Sequence, residues 1–181
     1  SDPAECFTMA ADAFDLAETL QTPVIVLSDL DIGMNDWIVP ELQWPKDYEP
    51  ARGKVLDAEA REQMKSFHRY LDVDGDAIPY RTLPGTGGSY FTRGSGQNRF
   101  GGYTEDSAEY QDVVDRRNDK WETARGRVPT PVTVDANFAN AGIIAVGSSD
   151  GAVVEALDRL AADGIAVDYL RPRAFPFADA V

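Results

Sequence analysis

The sequence predicts an α/β fold made of two incomplete α/β parts with a long irregular stretch between them. Three observations support this prediction. An amphipathic helix followed by a short apolar run opens the chain, a strand–helix–strand pattern closes it, and prolines and glycines interrupt the part between. We therefore assign residues 1–36 to the C-terminal part of one α/β domain, residues 37–140 to an interdomain excursion, and residues 141–181 to the start of a second α/β domain.

The first predicted element is a helix that runs to about Leu20. Its start combines a polar cap with Pro3 in the first turn and with Glu5, which can bond back to the cap. Apolar side chains then recur every three or four residues, with aspartate and glutamate on the other side. We expect this helix to pack against a sheet.

Residues 24–27 form a continuous apolar run after the helix-breaking Pro23. A run without alternation is typical of a parallel strand that is buried on both faces. Open α/β sheets place ligand or partner loops beyond the carboxyl ends of their strands. We therefore take Asp29, Asp31 and Asn35 as candidates for a subunit or ligand loop, while a capped turn leaving a strand explains the same residues.

The middle stretch has helical character in only two segments, residues 57–70 and residues 107–125. Repeated prolines and glycines interrupt the rest of it. A connection of this length is unusual inside one compact domain and is normally functional or interdomain. The interdomain interpretation is the one we adopt.

A glycine-rich loop spans residues 84–102. Arg93 and Arg99 lie in this loop, Tyr103 follows it, and aromatic residues flank all three. The two arginines could grip an anionic substrate. An aromatic loop that packs on a neighbouring subunit is the preferred interpretation.

The end of the chain predicts a βαβ unit. An apolar strand at 142–147 leads through a polar turn to a helix at 152–163, which Gly164 closes before a second strand at 165–170. Two strands and one helix bury little surface, so neither end of the chain looks self-sufficient. We expect the chain to be an internal segment that exposes apolar surface at 24–27 and across 142–170.

Composition excludes several classes of function. The net charge is −14 and the isoelectric point is near 4.3, which argues against a nucleic-acid partner and against an anionic membrane surface. The single cysteine, Cys6, excludes an internal disulfide and any iron–sulfur cluster held by this chain alone. No apolar run reaches the length of a membrane span, and a cytoplasmic location is expected.

The acidic turn at residues 72–76 is similar to a calcium loop only at first sight. An EF-hand loop needs glycine at its sixth position and glutamate at its twelfth, whereas Gly75 is fourth from Asp72. A solvated acidic turn is therefore preferred. His68 is the only histidine, and no nucleophile motif accompanies it.

Several segments together resemble one known family, the alpha subunits of thiamine-diphosphate-dependent 2-oxoacid:ferredoxin oxidoreductases. The resemblance extends in order over nearly the whole chain. The Ile-Pro-Tyr-Arg run that begins at Ile78 favours the 2-oxoglutarate-like variant of this family. The segments that carry the resemblance are residues 5–7, 13–18, 21–29, 78–86, 90–94, 103–106, 147–151 and 170–177.

The resemblance implies that residues 1–36 end a pyrimidine-binding-type domain and that residues 141–181 begin a transketolase-C-terminal-like domain. It implies a beta subunit as partner, which carries thiamine diphosphate, magnesium and an iron–sulfur cluster. Together the subunits would decarboxylate 2-oxoglutarate or pyruvate oxidatively to an acyl-CoA and reduce ferredoxin. The family's substrate and aminopyrimidine segments do not occur here, so no catalytic, cofactor-binding or metal-binding residue is carried over.

Two further points limit what the resemblance implies. The Gly-Asp-Gly motif of thiamine enzymes is broken, because Ala77 follows Gly75 and Asp76. A truncated, non-catalytic interaction module that binds a partner chain through its acidic and aromatic loops is the alternative function.

Overall fold

The computed structural model describes all residues 1–181 and confirms the predicted α/β class. The chain divides into two compact units. The first comprises Ser1–Ala17, Pro23–Pro50 and Arg125–Val181, and the second comprises Glu18–Thr22 and Ala51–Ala124. In chain order the elements are α1 (Pro3–Leu20), α2 (Leu30–Met34), α3 (Ala58–Gln63), α4 (Ser107–Arg125), β1 (Val132–Val134), β2 (Gly142–Ile144), α5 (Ser149–Ala162) and β3 (Asp168–Arg171).

The sheet of the first unit has the strand order β1-β3-β2. β2 and β3 are parallel, with Ile143 opposite Tyr169, and α5 connects them, so the predicted βαβ unit is confirmed. β1 lies on the other side of β3 and is antiparallel to it, with Thr133 opposite Leu170. The sequence analysis did not predict β1.

Local signals set the ends of the helices in this unit. At the start of α1 the Asp2 carboxylate accepts a hydrogen bond from the Glu5 amide at 2.9 Å, which satisfies one of the free donors of the first turn. At the end of α5, Gly164 has φ +77° and its amide donates to the Ala161 carbonyl at 3.0 Å. Both ends agree with the predicted caps.

Residues 24–27 form no helix or strand and pair with no strand of the chain. Ile25 is 79% exposed and Leu27 is 85% exposed, whereas a strand buried on both faces was predicted. A parallel strand becomes buried only when neighbouring strands and covering helices are present. These 181 residues supply none of them at this position.

The second unit has its own core, formed by Leu20, Leu56, Ala77, Ile78, Val113 and Ala124. Ile78 is completely buried. The backbone around it is held by side chains, because each of four successive carbonyls accepts a side-chain hydrogen bond. Thr123 Oγ1 donates to Asp76 at 2.7 Å, Arg116 Nη1 to Ala77 at 2.8 Å, Lys54 Nζ to Ile78 at 3.0 Å and Gln21 Nε2 to Pro79 at 2.6 Å.

The two helices predicted in the middle stretch differ in outcome. α4 has the predicted bounds, but α3 ends at Gln63, so the predicted helix over 57–70 is wrong beyond that residue. The aromatic side chains that follow pack on the glycine-rich loop instead. The Phe67 ring lies 5.9 Å from that of Tyr90, and the His68 ring lies 5.0 Å from that of Phe100. These ring contacts outweigh the weak helical pattern.

Gly53 is required by a close backbone approach in the second unit, and Gly53→Ala is expected to destabilise that unit by about 2 kcal/mol or more. Its φ is +63°, and a Cβ there would lie 2.3 Å from the Glu18 carbonyl oxygen. Hydrogen exchange at the Leu56 amide, which donates to Arg81 nearby, measures the loss. Gly94→Ala is the control, because nothing lies within 4 Å of its Cβ position. Equal exchange in both variants would contradict the prediction.

Candidate functional site

Asp29 joins two loops of the first unit. Its Oδ1 accepts from the Ile32 amide at 3.0 Å and caps α2, while its Oδ2 accepts from the Ser148 amide at 2.8 Å, just before α5. These hydrogen bonds, the one from Ser148 first, lower the pKa of the Asp29 carboxyl. A Cβ at Gly147 would lie 2.5 Å from Asp29 Oδ2, so glycine is needed for the approach. The Asp29 side chain thus links the two loops through hydrogen bonds.

The other two candidates of this loop, Asp31 and Asn35, are exposed. The Asn35 side-chain amide donates to the Asp31 carboxylate one helical turn away. The Trp37 indole nitrogen donates to the Asp31 carbonyl at 3.0 Å. The loop is therefore a small, locally bonded turn that presents polar groups outward.

The three candidates of the second unit also have local partners. Arg99 forms a two-pronged contact with Asp112 on α4, with Nε at 2.8 Å, which raises the pKa of the guanidinium. The Tyr103 hydroxyl donates to Glu105, and that hydrogen bond raises its pKa. The Arg93 guanidinium lies 5.1 Å from the centre of the Phe91 ring. All three side chains remain exposed, and their predicted role in a subunit or ligand loop stays a prediction.

The acidic turn brings the carboxylates of Asp72, Asp74 and Asp76 within 4.8 Å of one another. Lys54 Nζ occupies the space between two of them, at 2.6 Å from Asp74 and 2.5 Å from Asp76. The Asp72 carboxylate accepts three backbone amides of the turn. With Ala77 in the third position of the broken motif, these residues do not fit the magnesium of a thiamine diphosphate site.

The first unit contains a largely buried ionic cluster that was not predicted from the sequence. Glu5 accepts from Arg171 at 2.8 Å and from Arg173 at 2.7 Å, and the Arg171 side chain is only 8% exposed. Arg171 Nε also lies 3.1 Å from Asp150, which accepts from the Tyr169 hydroxyl at 2.7 Å. Burial raises the pKa of Tyr169 to about 12, and the Asp150 hydrogen bond adds to the rise. The cluster connects α1, β3 and the start of α5.

Burial also perturbs Glu5, because desolvation raises the pKa of its carboxyl. Hydrogen bonds from Arg171 and Arg173 oppose that effect and lower the pKa. The carboxylate stays ionised across the physiological range. Both oxygens of the Glu5 carboxylate accept hydrogen bonds, as in a structural ion cluster.

Apolar surface is exposed where the sequence analysis predicted it. Beside Ile25 and Leu27, the next turn exposes Leu30 at 80% and Met34 at 78%. In the βαβ unit Ile144 and Val146 are also exposed. Exposed apolar side chains that form a large patch are typical of a surface that binds another protein. None of the helices combines the length and the apolar composition that a membrane span requires.

Comparisons with known proteins bear out the resemblance found in the sequence. The chain is 29% identical over 97% of its length to the alpha subunit of 2-oxoacid:ferredoxin oxidoreductase 2 from Aeropyrum pernix, and it spans 27% of that protein. It is equally similar to the alpha subunit of the Saccharolobus solfataricus 2-oxoacid:ferredoxin oxidoreductase, of which it spans 28%. No family model matches the chain.

A solved structure agrees with these relatives. The 2-oxoglutarate:ferredoxin oxidoreductase from Magnetococcus marinus, with 2-oxoglutarate, coenzyme A and succinyl-CoA bound, superposes on 98% of the chain with a TM-score of 0.85 and 27% identity. The chain covers 30% of that protein's chain. It therefore spans less than a third of the length of the proteins that it resembles.

Proposed function

We propose that the chain is part of the alpha subunit of a 2-oxoacid:ferredoxin oxidoreductase. The observation that carries this proposal is the match to the solved 2-oxoglutarate enzyme, which extends over nearly the whole chain in both sequence and structure. Single motifs recur by chance, but an ordered match across two compact units does not. The curated alpha subunits support the same assignment.

The proposed reaction is the CoA-dependent oxidative decarboxylation of a 2-oxoacid. The carboxylate leaves as carbon dioxide, the remaining acyl group passes to the thiol of CoA, and the electron pair reduces ferredoxin. Our preferred substrate is 2-oxoglutarate, with pyruvate as the other candidate. Thiamine diphosphate, magnesium and the iron–sulfur cluster are assigned to the partner beta subunit, and the expected location is cytoplasmic.

The proposed role of these residues within the enzyme is structural. Their candidate side chains already have local partners, and the acidic turn holds Lys54 rather than offering open ligand positions. The exposed residues Leu27 and Leu30 support a contact with polypeptide beyond these 181 residues. We propose that Asp29, Asp31, Asn35, Arg93, Arg99 and Tyr103 belong to loops that meet other parts of the assembly.

The test is an activity assay on the full-length protein purified with its partner subunit. Reduction of ferredoxin is followed with 2-oxoglutarate and with pyruvate, each with and without CoA. Reduction that requires both a 2-oxoacid and CoA supports the proposal, and the faster substrate identifies the acyl group. If neither acid drives CoA-dependent reduction, the oxidoreductase assignment is wrong and the interaction module is favoured.

Leu27→Asp is expected to greatly reduce the fraction of the protein that assembles with its partner subunit. Leu27 is 85% exposed here, and placing an unpaired carboxylate in an apolar contact costs several kcal/mol. Co-purification of the partner subunit measures assembly. Val73→Asp is the matched control, since Val73 is 53% exposed and lies in the acidic turn. Normal assembly of the Leu27 variant would show that this surface is not a contact.

A further inference from the structure

Four cationic side chains of the second unit interact through their charges, in a chain that carries a net charge of −14. Arg116, Arg117 and Lys120 lie on α4, where positions four apart share a face. Arg69 comes from the segment that follows α3. Arg116 and Lys120 are half-buried, so water screens them less than it screens surface lysines.

The buried members of this cluster bond to carbonyl groups rather than to carboxylates. Lys120 Nζ donates to the Gln21 carbonyl at 3.3 Å, and Arg116 Nη1 donates to the Ala77 carbonyl at 2.8 Å. Arg116 Nε is buried and has no hydrogen-bond partner. A buried donor without an acceptor is costly and rare. The cluster therefore retains donor capacity that the protein itself does not use.

Two carboxylates, those of Asp72 and Asp112, act on this cluster through their charge, and both accept hydrogen bonds from other groups. The Asp72 carboxylate accepts from the amides of Gly75 and Ala77, both at 2.9 Å. The Asp112 carboxylate forms its two-pronged contact with Arg99. Both acids raise the pKa of Arg116 through their charge, but neither forms an ion pair with any of the four cations.

The ionisation of Lys120 reflects the positive charge of its neighbours. Desolvation lowers the pKa of its ammonium first, and the charges of Arg116, Arg117 and Arg69 lower it further, to about 8. Desolvation and the Arg117 charge also lower the pKa of Arg116. Cations that repel one another in a partly buried position are what an anion would stabilise.

We propose that Arg69, Arg116, Arg117 and Lys120 form a binding site for a phosphate-type oxyanion. Guanidinium groups form paired hydrogen bonds with such an anion, and the lysine adds a compact charge. The inference uses only residues of the second unit and does not depend on the proposed oxidoreductase function. Free phosphate and a phosphoryl group on a larger molecule share the chemistry that the site would recognise.

The first test measures how fast Lys120 reacts with an amine-directed acylating reagent in the intact protein at pH 8. Inorganic phosphate is added at constant ionic strength, with potassium chloride as the balancing salt. A bound anion holds Lys120 as the unreactive ammonium, so its labelling slows in a saturable way. Exposed Lys65 of the same unit is the internal control. Equal effects of phosphate and chloride on Lys120 overturn the proposal.

The second test uses substitutions with the same readout. Arg117→Gln removes one exposed cation, so the fold is retained, and the phosphate concentration that half-protects Lys120 should rise about tenfold. Arg159→Gln is the matched control, because Arg159 is exposed on α5 and bonds Glu155. Unchanged protection in the Arg117 variant contradicts the site. Adding a small phosphomonoester in place of phosphate distinguishes a free anion from a carried phosphoryl group.

Discussion

Replacing Ile78 with alanine is expected to destabilise the second unit by about 3–4 kcal/mol. Ile78 is completely buried, and removing a buried isoleucine side chain to alanine costs about 2–5 kcal/mol according to how far the surroundings collapse. Collapse is limited here, because side chains hold the carbonyls of four successive residues around it. The cavity should therefore stay open, which places the loss in the upper part of that range.

Hydrogen exchange in the intact protein measures this loss for the second unit alone. The Leu56 amide donates to the Arg81 carbonyl at 2.8 Å and reports on opening of the unit. Its protection should fall by at least about 100-fold, since about 1.4 kcal/mol corresponds to each factor of ten. Leu83→Ala is the matched control, because Leu83 is 45% exposed and should cost less than about 1 kcal/mol. Similar losses in the two variants would show that Ile78 is not the centre of this core.

Elements whose signals are local in sequence were predictable. The cap and apolar periodicity gave α1, the polar helical pattern gave α4, and the strand–helix–strand pattern with Gly164 gave the parallel pairing of β2 with β3. Each signal lies within about one element, where caps and periodicity act directly on the backbone. The residues after α3 depart from the prediction because tertiary contacts oppose a weak helical pattern there.

Features made by distant residues were not predictable. β1 is three residues long and gains its pairing only from β3, which follows it by more than thirty positions. The hydrogen bonds to the carbonyls of residues 76–79 come from four donors in three separate segments of the chain. A short polar or apolar pattern carries no information about such partners, because the pairing depends on which distant segments the fold brings together.

In the candidate site too, the local contacts were predictable from the sequence and the distant ones were not. The sequence indicated that Asp29 belongs to a polar loop, for which a capped turn was an alternative explanation, and its side chain does cap α2. Its second bond, to the Ser148 amide, joins residues 119 positions apart and has no local signal. The glycine at position 147 is the one trace of that contact in the sequence, because a side chain there would meet Asp29.

Glu5→Gln is expected to destabilise the first unit by about 2–3 kcal/mol. Removing one partner from a buried ion pair costs about 3–5 kcal/mol, mainly because the other charge remains buried. The expected loss is smaller than that range, since Arg171 keeps Asp150 at 3.1 Å after Glu5 is neutralised. Exchange of the Asp168 amide, which donates to Ala141 across the sheet, measures the change. Glu155→Gln removes an exposed ion pair with Arg159 in the same unit and should cost less than about 0.5 kcal/mol.

The same substitution should remove part of the acid sensitivity of the first unit. The folded pKa of Glu5 lies below its ordinary value of 4.5, because Arg171 and Arg173 donate hydrogen bonds to its carboxylate. A lowered folded pKa means that the stabilisation is complete above about pH 4.5 and is lost as the pH falls below that value. The difference in protection between the wild type and Glu5→Gln should therefore be constant from pH 7 to pH 5 and should narrow below pH 4.5. A difference that persisted unchanged at pH 3 would mean that the glutamine variant acts through packing, because the charge of Glu5 would then contribute nothing.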